Sequence, residues 1–328
     1  MNKHILFKVA ALALLPGSGP ALANPDYPSR QIALVVPFAA GGGVDLMARY
    51  YSKKLSDALG QTVIVENRGG AGGTIGSAHV ARAPADGHTL LFTSVAHAIN
   101  SSYYPKLPFD SLKDFAPITL VARAPNGIAA NPGLPFNTLG ELLAYAKKNP
   151  DKLTYGAISG STTMYLGMAM LEKAAGVELQ YIPYKGTPAS VQAAMSGEVD
   201  LVSSGYASSD MFAQAGKLKM LAVSSAQATA LAPGVPTIAE AANLPGFEVM
   251  NWMAVLAPAG TPPAVVDRLN AEIKRIQAEP ETVAFYEAQK NEIAHQSPDA
   301  FRQTLADEIK RYEKIVRELN IGAEQAAQ

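Results

Sequence analysis

Apolar positions along this chain follow two rhythms. Ile32-Ala33-Leu34-Val35-Val36 is an unbroken, largely β-branched run that stops at Pro37, the pattern of a strand buried on both faces. Beyond a glycine-rich loop at Phe38–Gly43 the spacing becomes helical, with Val44, Met47, Ala48, Tyr51 and Leu55 falling on one face. Val63-Ile64-Val65 and Leu90-Leu91-Phe92 repeat the strand signal on either side of a helix-like stretch at 74–82. Further strands are predicted at 118–122, 127–130, 153–157, 179–183, 199–203, 219–224 and 247–256. Helices near 138–148, 162–175, 188–196 and 263–278 alternate with them. Such alternation predicts an α/β fold with mostly parallel sheets, because parallel strands need helical crossovers. From Pro263 onward only helices are readable, starting at Pro263, Pro280 and Pro298, as suits a residue favoured in the first turn. No tandem repeat or low-complexity linker interrupts the chain, so two α/β halves should form a hinged pair.

Length agrees with that division: 328 residues are many for one domain and comfortable for two. The first residues read as an address. Lys3 and Lys8 flank and interrupt an apolar run, Ile5–Leu15, which Pro16, Gly17 and Gly19 break before Ala21-Leu22-Ala23. That is the layout of a cleavable secretory signal over 1–23, with cleavage after Ala23, and the run is about half of a membrane span. No cysteine follows to carry a lipid anchor. The mature chain is expected to be exported to the periplasm without inserting in the membrane.

Charge and composition then exclude several classes. Lys+Arg 27 against Asp+Glu 28 leaves no basic stripe for nucleic acid. The leader holds Lys3 and Lys8 and no acid, so the remainder carries 25 basic and 28 acidic groups. Cys 0 removes thiolate nucleophiles, Cys-ligated zinc, iron–sulfur clusters and disulfides.

Two loops share one design. Pro37-Phe38-Ala39-Ala40-Gly41-Gly42-Gly43-Val44-Asp45 leaves a strand and opens a helix, and so does Ser159-Gly160-Ser161-Thr162-Thr163. Such a loop exposes backbone N–H groups at the positive end of a helix dipole and suits an anion. Each loop alone is equally well a tight turn, with Ser161 a helix cap; on two halves of one molecule, the pair could hold a carboxylate between them. A carboxylate in the first helical turn would repel such a ligand, so Asp45 should cap its helix and orient loop N–H groups. Gly69-Gly70-Ala71-Gly72-Gly73 has Ile75 where a dinucleotide fingerprint needs its third glycine, and reads better as a wall of the cleft. No serine has glycines at both −2 and +2, and the histidines show no metal spacing. His97 follows a strand end and lies near the cleft or on the surface.

Over nearly the whole mature chain, blocks of sequence resemble the periplasmic substrate-binding proteins of tripartite tricarboxylate transporters, the Bug family. The resemblance is carried by Tyr27-Pro28, Leu34–Asp45, Val65-Glu66-Asn67-Arg68, Gly70-Ala71-Gly72-Gly73, Ala85-Asp86-Gly87-His88-Thr89-Leu90, Tyr184-Lys185-Gly186, Gly197-Glu198-Val199-Asp200, Leu221-Ala222-Val223-Ser224, and Trp252 followed by Ala257–Pro262. It implies a two-domain, type II-like periplasmic binding fold with an interdomain cleft and a hinge of two crossover strands. Domain 1 would be 24–122 plus 254–328 and domain 2 would be 123–253. The cleft would hold a small carboxylate through backbone amides and water. On the first side the resemblance implies the loop Phe38–Asp45, with Gly41, Gly42, Gly43 and Asp45 lining the site and Phe38 and Ala40 leaving apolar room; Ser94 and His97 are added from their place at the end of a strand. On the facing side it implies Ser159, Ser161, Thr162, Thr163, Tyr184, Lys185, Ser204 and Gly205. Lys185 is the nearest formal positive charge, or else a surface lysine at a helix start. Many relatives carry a histidine just inside the second helix; here Thr163-Met164-Tyr165 stands in its place.

The expected function is therefore capture of a di- or tricarboxylate or an aromatic acid for delivery to membrane transporter subunits. The chain is expected to be a monomer with no cofactor, metal or catalytic residue. A ligand sensor acting through a receptor kinase is the alternative, and an exported hydrolase using Ser161 or Ser204 with His97 a remote one.

Overall fold

The computed structural model describes residues 27–158 and 160–322; the expected leader peptide, its cleavage point and Ser159 lie outside the described residues. The first half of the chain forms β1 (Ile32–Val36), α1 (Gly43–Leu59), β2 (Val63–Asn67), a 3-10 turn at Ala71–Gly73, α2 (Thr74–Ala81), β3 (Thr89–Ser94) and α3 (Ala96–Tyr103). A long strand, β4 (Phe115–Ala130), leads into α4 (Leu139–Lys148), β5 (Thr154–Ile158), α5 (Thr163–Ala175), β6 (Gln180–Tyr184), α6 (Thr187–Ser196) and β7 (Leu201–Gly205). Then come α7 (Tyr206–Gln214), β8 (Lys219–Val223), α8 (Ile238–Ala241), β9 (Met250–Pro258), α9 (Pro263–Gln277), α10 (Pro280–Ala288), the two-residue β10 (Glu292–Ile293) and α11 (Pro298–Leu319). Each of the last three helices places its predicted proline at the first turn.

The strands follow the order β2-β1-β3-β9-β4-β7-β5-β6, with β8 and β10 also on β4. β1 is parallel to β2 and β3, and β5 is parallel to β6 and β7. β9 runs antiparallel to β3 and β4, while β4 runs antiparallel to β7 and β8. The arrangement is thus mixed, less parallel than the alternation of elements suggested. The strands expected at 118–122 and 127–130 are one. Arg123, Pro125 and Asn126 break the apolar run, yet the ladder continues there with Arg123 opposite Trp252 and Pro125 opposite Met250. At Asn126 the same strand changes partners to β7 and β8.

Helices cover both faces. α1, α9 and α10 enclose one core with Leu34, Tyr51, Phe92, Val255 and Tyr286. α2, α3 and α11 close the opposite face around Val35, Ile99, Phe115, Trp252 and Phe301. α4, α5 and α8 pack on Tyr155 and Leu201, and α6 and α7 on Val191 and Val202. α11 also braces the segment entering β9. Trp252 Nε1 donates to Glu308 at 3.0 Å, and Arg311 Nη2 donates to the Glu248 carbonyl at 2.6 Å. Glu308 and Arg311 are therefore structural.

Candidate functional site

Strand direction decides which loops face each other. The end of β3 lies in register with β9, Ser94 opposite Met253. The end of β7 lies in register with β4, Gly205 opposite Asn126. Both positions border the point where β4 changes partners, so the carboxyl edges of the two parallel strand sets meet across it. Ligands of open α/β sheets occupy such edges.

The helices that leave these edges share an unusual start. Gly42, Gly73, Gly186 and Gly205 are the N-caps of α1, α2, α6 and α7, and none has a side chain to satisfy the first-turn N–H groups. Several unpaired donors at the positive dipole ends are thus left for an outside acceptor. No lysine or arginine occurs in 38–45, 70–73, 160–163 or 204–206. Among the described residues, no group of three His, Asp or Glu side chains could hold a metal.

Asp45 orients the loop as expected but does not cap α1, since it bonds the Gly41 N–H ahead of the helix rather than a first-turn N–H. It is 2% exposed and turned into the loop. Its Oδ2 accepts from the Gly41 N–H at 2.9 Å and from Arg49 Nε at 2.9 Å, while Oδ1 accepts from Asn67 Nδ2 at 2.8 Å. Burial alone would raise its pKa, but these donors hold the carboxyl below the ordinary value. Asn67 also donates to the Phe38 carbonyl at 3.2 Å, tying the loop after β1 to the end of β2. Ala40, Gly41 and Gly43 are exposed and Gly42 half-buried. Phe38 packs on the core beneath, its ring beside Gly73.

On the facing side, the hydroxyls expected to meet a ligand are mostly engaged. Thr162 Oγ1 accepts from the Tyr165 N–H as the cap of α5 and donates to the Ile158 carbonyl at 3.0 Å. Thr163 is buried behind the loop, beside Asn126, Ser203 and Ser224. Ser161 is fully buried, its hydroxyl bonded to Asn100 Oδ1. Gly205 caps α7 and Lys185 is exposed near the start of α6.

Four expected side chains do not reach the cleft. His97 is 1% exposed, stacked on Phe109 and edge-on to Phe115, with Nε2 at 2.9 Å from the Ser111 carbonyl. Desolvation drives its pKa down to about 4, so it is a neutral core histidine. Ser94 turns its hydroxyl toward the start of α3, accepting from the Ala96 N–H at 3.4 Å. Ser204 is buried against Ser209, 2.6 Å between hydroxyls. Tyr184 lies back over Gly156 and donates its hydroxyl to Glu198 at 2.7 Å. In the last two the correction has one cause: the backbone reaches the carboxyl edge while the side chain points into its own half.

Sequence reasoning missed Asn100 and Tyr104. Asn100 is 1% exposed and donates Nδ2 to the Gly72 carbonyl at 3.0 Å. A Cβ on Gly72 would fall 2.6 Å from Ser161 Oγ and 3.0 Å from Tyr104 Oη. The glycine-rich turn after β2 therefore touches the loop after β5 at bare backbone.

Comparison with known proteins identifies the chain's relatives. Residues 47–321 match the family model described as "Tripartite tricarboxylate transporter family receptor". A protein encoded in the tcbD–tcbE intergenic region of Pseudomonas sp. strain P51 is 39% identical, covering 96% of this chain and 94% of its own. Protein BugT of Bordetella pertussis is 33% identical over 97% of this chain and 98% of its own. Among solved structures, R. palustris Rpa4515 with adipate superposes with a TM-score of 0.85 at 33% identity, over 90% of this chain and 99% of that one. MatC from Rhodopseudomonas palustris with bound malate gives 0.81 at 31% identity, over 88% and 100%. With sequence and architecture matched over most of its length, the chain belongs to the tripartite tricarboxylate transporter receptors, the Bug proteins.

Proposed function

We propose that this protein is a periplasmic receptor that captures a small organic carboxylate between its two halves and hands it to membrane transporter subunits. The observation that carries the reading is the meeting of two carboxyl edges whose helices begin at glycine, with first-turn N–H groups left uncapped by side chains. Such ends bind carboxylates without a formal positive charge. Adipate and malate in the two structural neighbours support a dicarboxylate. The halves are taken as 24–122 plus 254–328 and 123–253, hinged where β4 changes partners and where the chain enters β9, and closure about those strands traps the ligand. The protein acts as a monomer, with no cofactor and no chemical step. Against the hydrolase alternative, His97 is walled in by Phe109 and Phe115 and meets neither Ser161 nor Ser204.

The test is a melting-temperature screen with malate, adipate, citrate and benzoate, followed by calorimetry. Ligand at one hundred times Kd should stabilise by about 2.7 kcal/mol. Ligand-free protein that shows no shift across such a panel would overturn the proposal. A receptor kinase partner rather than a transporter would show as ligand-dependent binding to a sensor domain.

A further inference from the structure

Ser161 and Asn100 belong to opposite halves, one after β5 and the other on α3, yet each is buried by the contact they share. Asn100 uses both ends of its amide. Oδ1 accepts from the Ser161 hydroxyl, and Nδ2 donates to the Gly72 carbonyl at 3.0 Å. The side chain thus joins the glycine turn of one half to the loop of the other. Gly72 has a φ of +63°, a conformation glycine tolerates best, and its Cα side faces Ser161 Oγ, Tyr104 Oη and Asn100 Oδ1. Gly160 lies opposite the same Tyr104 hydroxyl. This is the contact at which any side chain on residue 72 would hold the halves apart.

The contact also sets the distance between two helix starts. Gly72 precedes Gly73, the N-cap of α2, and Ser161 precedes Thr162, the N-cap of α5. Bringing two positive dipole ends together is unfavourable by itself and becomes favourable when an anion lies between them. Ligand and cross-half contact should therefore strengthen one another.

Resting on the carboxylate-receptor reading, we infer that Asn100 is a positioning residue, the latch that holds the glycine turn against Ser161 and couples closure to carboxylate binding. Removing a latch lowers apparent affinity by the fraction of closed state lost. Loss of a buried hydrogen-bonded pair corresponds to about 5- to 100-fold.

The experiment measures malate and adipate affinity, dissociation rate and radius of gyration for the wild-type chain and for Asn100→Ala, Ser161→Ala, the double variant and Asn100→Asp. Each single alanine variant should weaken binding at least fivefold, chiefly through faster dissociation, and should reduce the compaction seen with ligand. The double variant should bind about as weakly as Asn100→Ala alone, because both changes break one connection. In Asn100→Asp the introduced carboxyl still accepts from Ser161 but cannot donate to Gly72, and it sets a negative charge between the helix ends. Its affinity relative to wild type should be lowest near pH 7 and recover as pH falls and that carboxyl protonates, a dependence that a merely space-filling asparagine would not produce. Should Asn100→Ala fail to fold, Ser161→Ala and Asn100→Asp decide the matter. Wild-type affinity in those two, or a double variant whose effects simply add, overturns the latch. Wild-type protein that binds no carboxylate would instead overturn the receptor reading.

Discussion

Replacing Asp45 by asparagine separates two opposite roles for a carboxylate at the mouth of an anion site. The side chain accepts three hydrogen bonds, from the Gly41 N–H and Arg49 Nε at 2.9 Å and from Asn67 Nδ2 at 2.8 Å. Arg49 is 51% exposed and finds water when its partner changes, so that pair contributes about 0–1 kcal/mol. The other two donors are different. Asparagine offers one oxygen for Gly41 and Asn67 and turns an NH₂ toward the second, leaving about 1.5–3 kcal/mol of charge-assisted hydrogen bonding unmade. Loss of negative charge in the first turn of α1 adds about 0.3–1 kcal/mol. The sum is about 2–5 kcal/mol, or a fall in Tm of roughly 3–8 °C for a chain of this size. Because the folded pKa lies below the ordinary carboxylate value, this contribution is complete above about pH 4 and is lost as pH falls through the folded pKa. Melting curves of the two proteins should therefore converge only as pH falls below the ordinary carboxylate range.

Ligand affinity gives the decisive sign. If Asp45 orients the loop, Asp45→Asn lets the Gly41 N–H and the loop drift, and malate binding weakens. If Asp45 instead faced the ligand, removing its charge would tighten binding of a dianion. Calorimetry with malate distinguishes the two, and a tighter Kd, or an unchanged Tm at pH 7, refutes the assignment.

Gly42→Leu should abolish carboxylate binding and leave Tm nearly unchanged, since its φ of −81° suits any residue and a Cβ there meets only the Ala39 carbonyl oxygen at 3.8 Å; retained affinity removes the loop from the site. Ser224→Ala should cost about 1–3 kcal/mol in chemical denaturation, because its hydroxyl donates to the Val249 carbonyl at 2.5 Å and accepts from the Asn126 N–H at 2.8 Å; the buried Asn126 N–H is left unpaired, while the Val249 carbonyl keeps the Asn126 Nδ2 at 3.4 Å. Glu172→Gln should stabilise the protein by about 1–3 kcal/mol at pH 8 and by almost nothing at pH 4. Burial pushes Glu172 up to about 7 against the bond from the Leu179 N–H, so wild-type stability falls as pH rises from about 4.5 through 7; parallel pH profiles for the two proteins would count against this.

Much of the architecture was legible because it depends on pattern. Unbroken runs such as Ile32–Val36 could only be buried strands, and Pro263, Pro280 and Pro298 marked helix starts to the residue. β4 was misread as two strands because Arg123, Pro125 and Asn126 look like a loop; only pairing with β9 on one side and β7 on the other shows a single strand. α3 and α7 carried too little periodicity to be seen. α3 is eight residues long and almost wholly buried, so no polar face marks it. Within the site, glycine loops were legible because they are backbone features. Side-chain directions were not: whether Tyr184 turns to Glu198 or to the cleft depends on partners distant in sequence, and Asn100 acquires its role only when residues 72 and 161 arrive beside it.

The electrostatics of the site follow from the same distinction between backbone and side chain. The chain carries 27 basic against 28 acidic groups, or 25 against 28 if the expected leader is removed, so its overall field offers no long-range attraction to an anion. Loops 38–45, 70–73, 160–163 and 204–206 contain no lysine or arginine, Lys185 standing beside the Gly186 cap of α6, and the one carboxylate in those four loops, Asp45, is neutralised in place by Gly41, Arg49 and Asn67. What remains is a set of N–H groups fixed by helices and glycines. Such groups act over a few ångströms, cannot be titrated and do not fold over the ligand as a lysine would. They read the carboxylate and leave the rest of the molecule to the walls. On the proposed reading, ligand choice is therefore a matter of the shape of the walls around these N–H groups, and single substitutions in those walls should change which acid is bound more readily than whether an acid is bound.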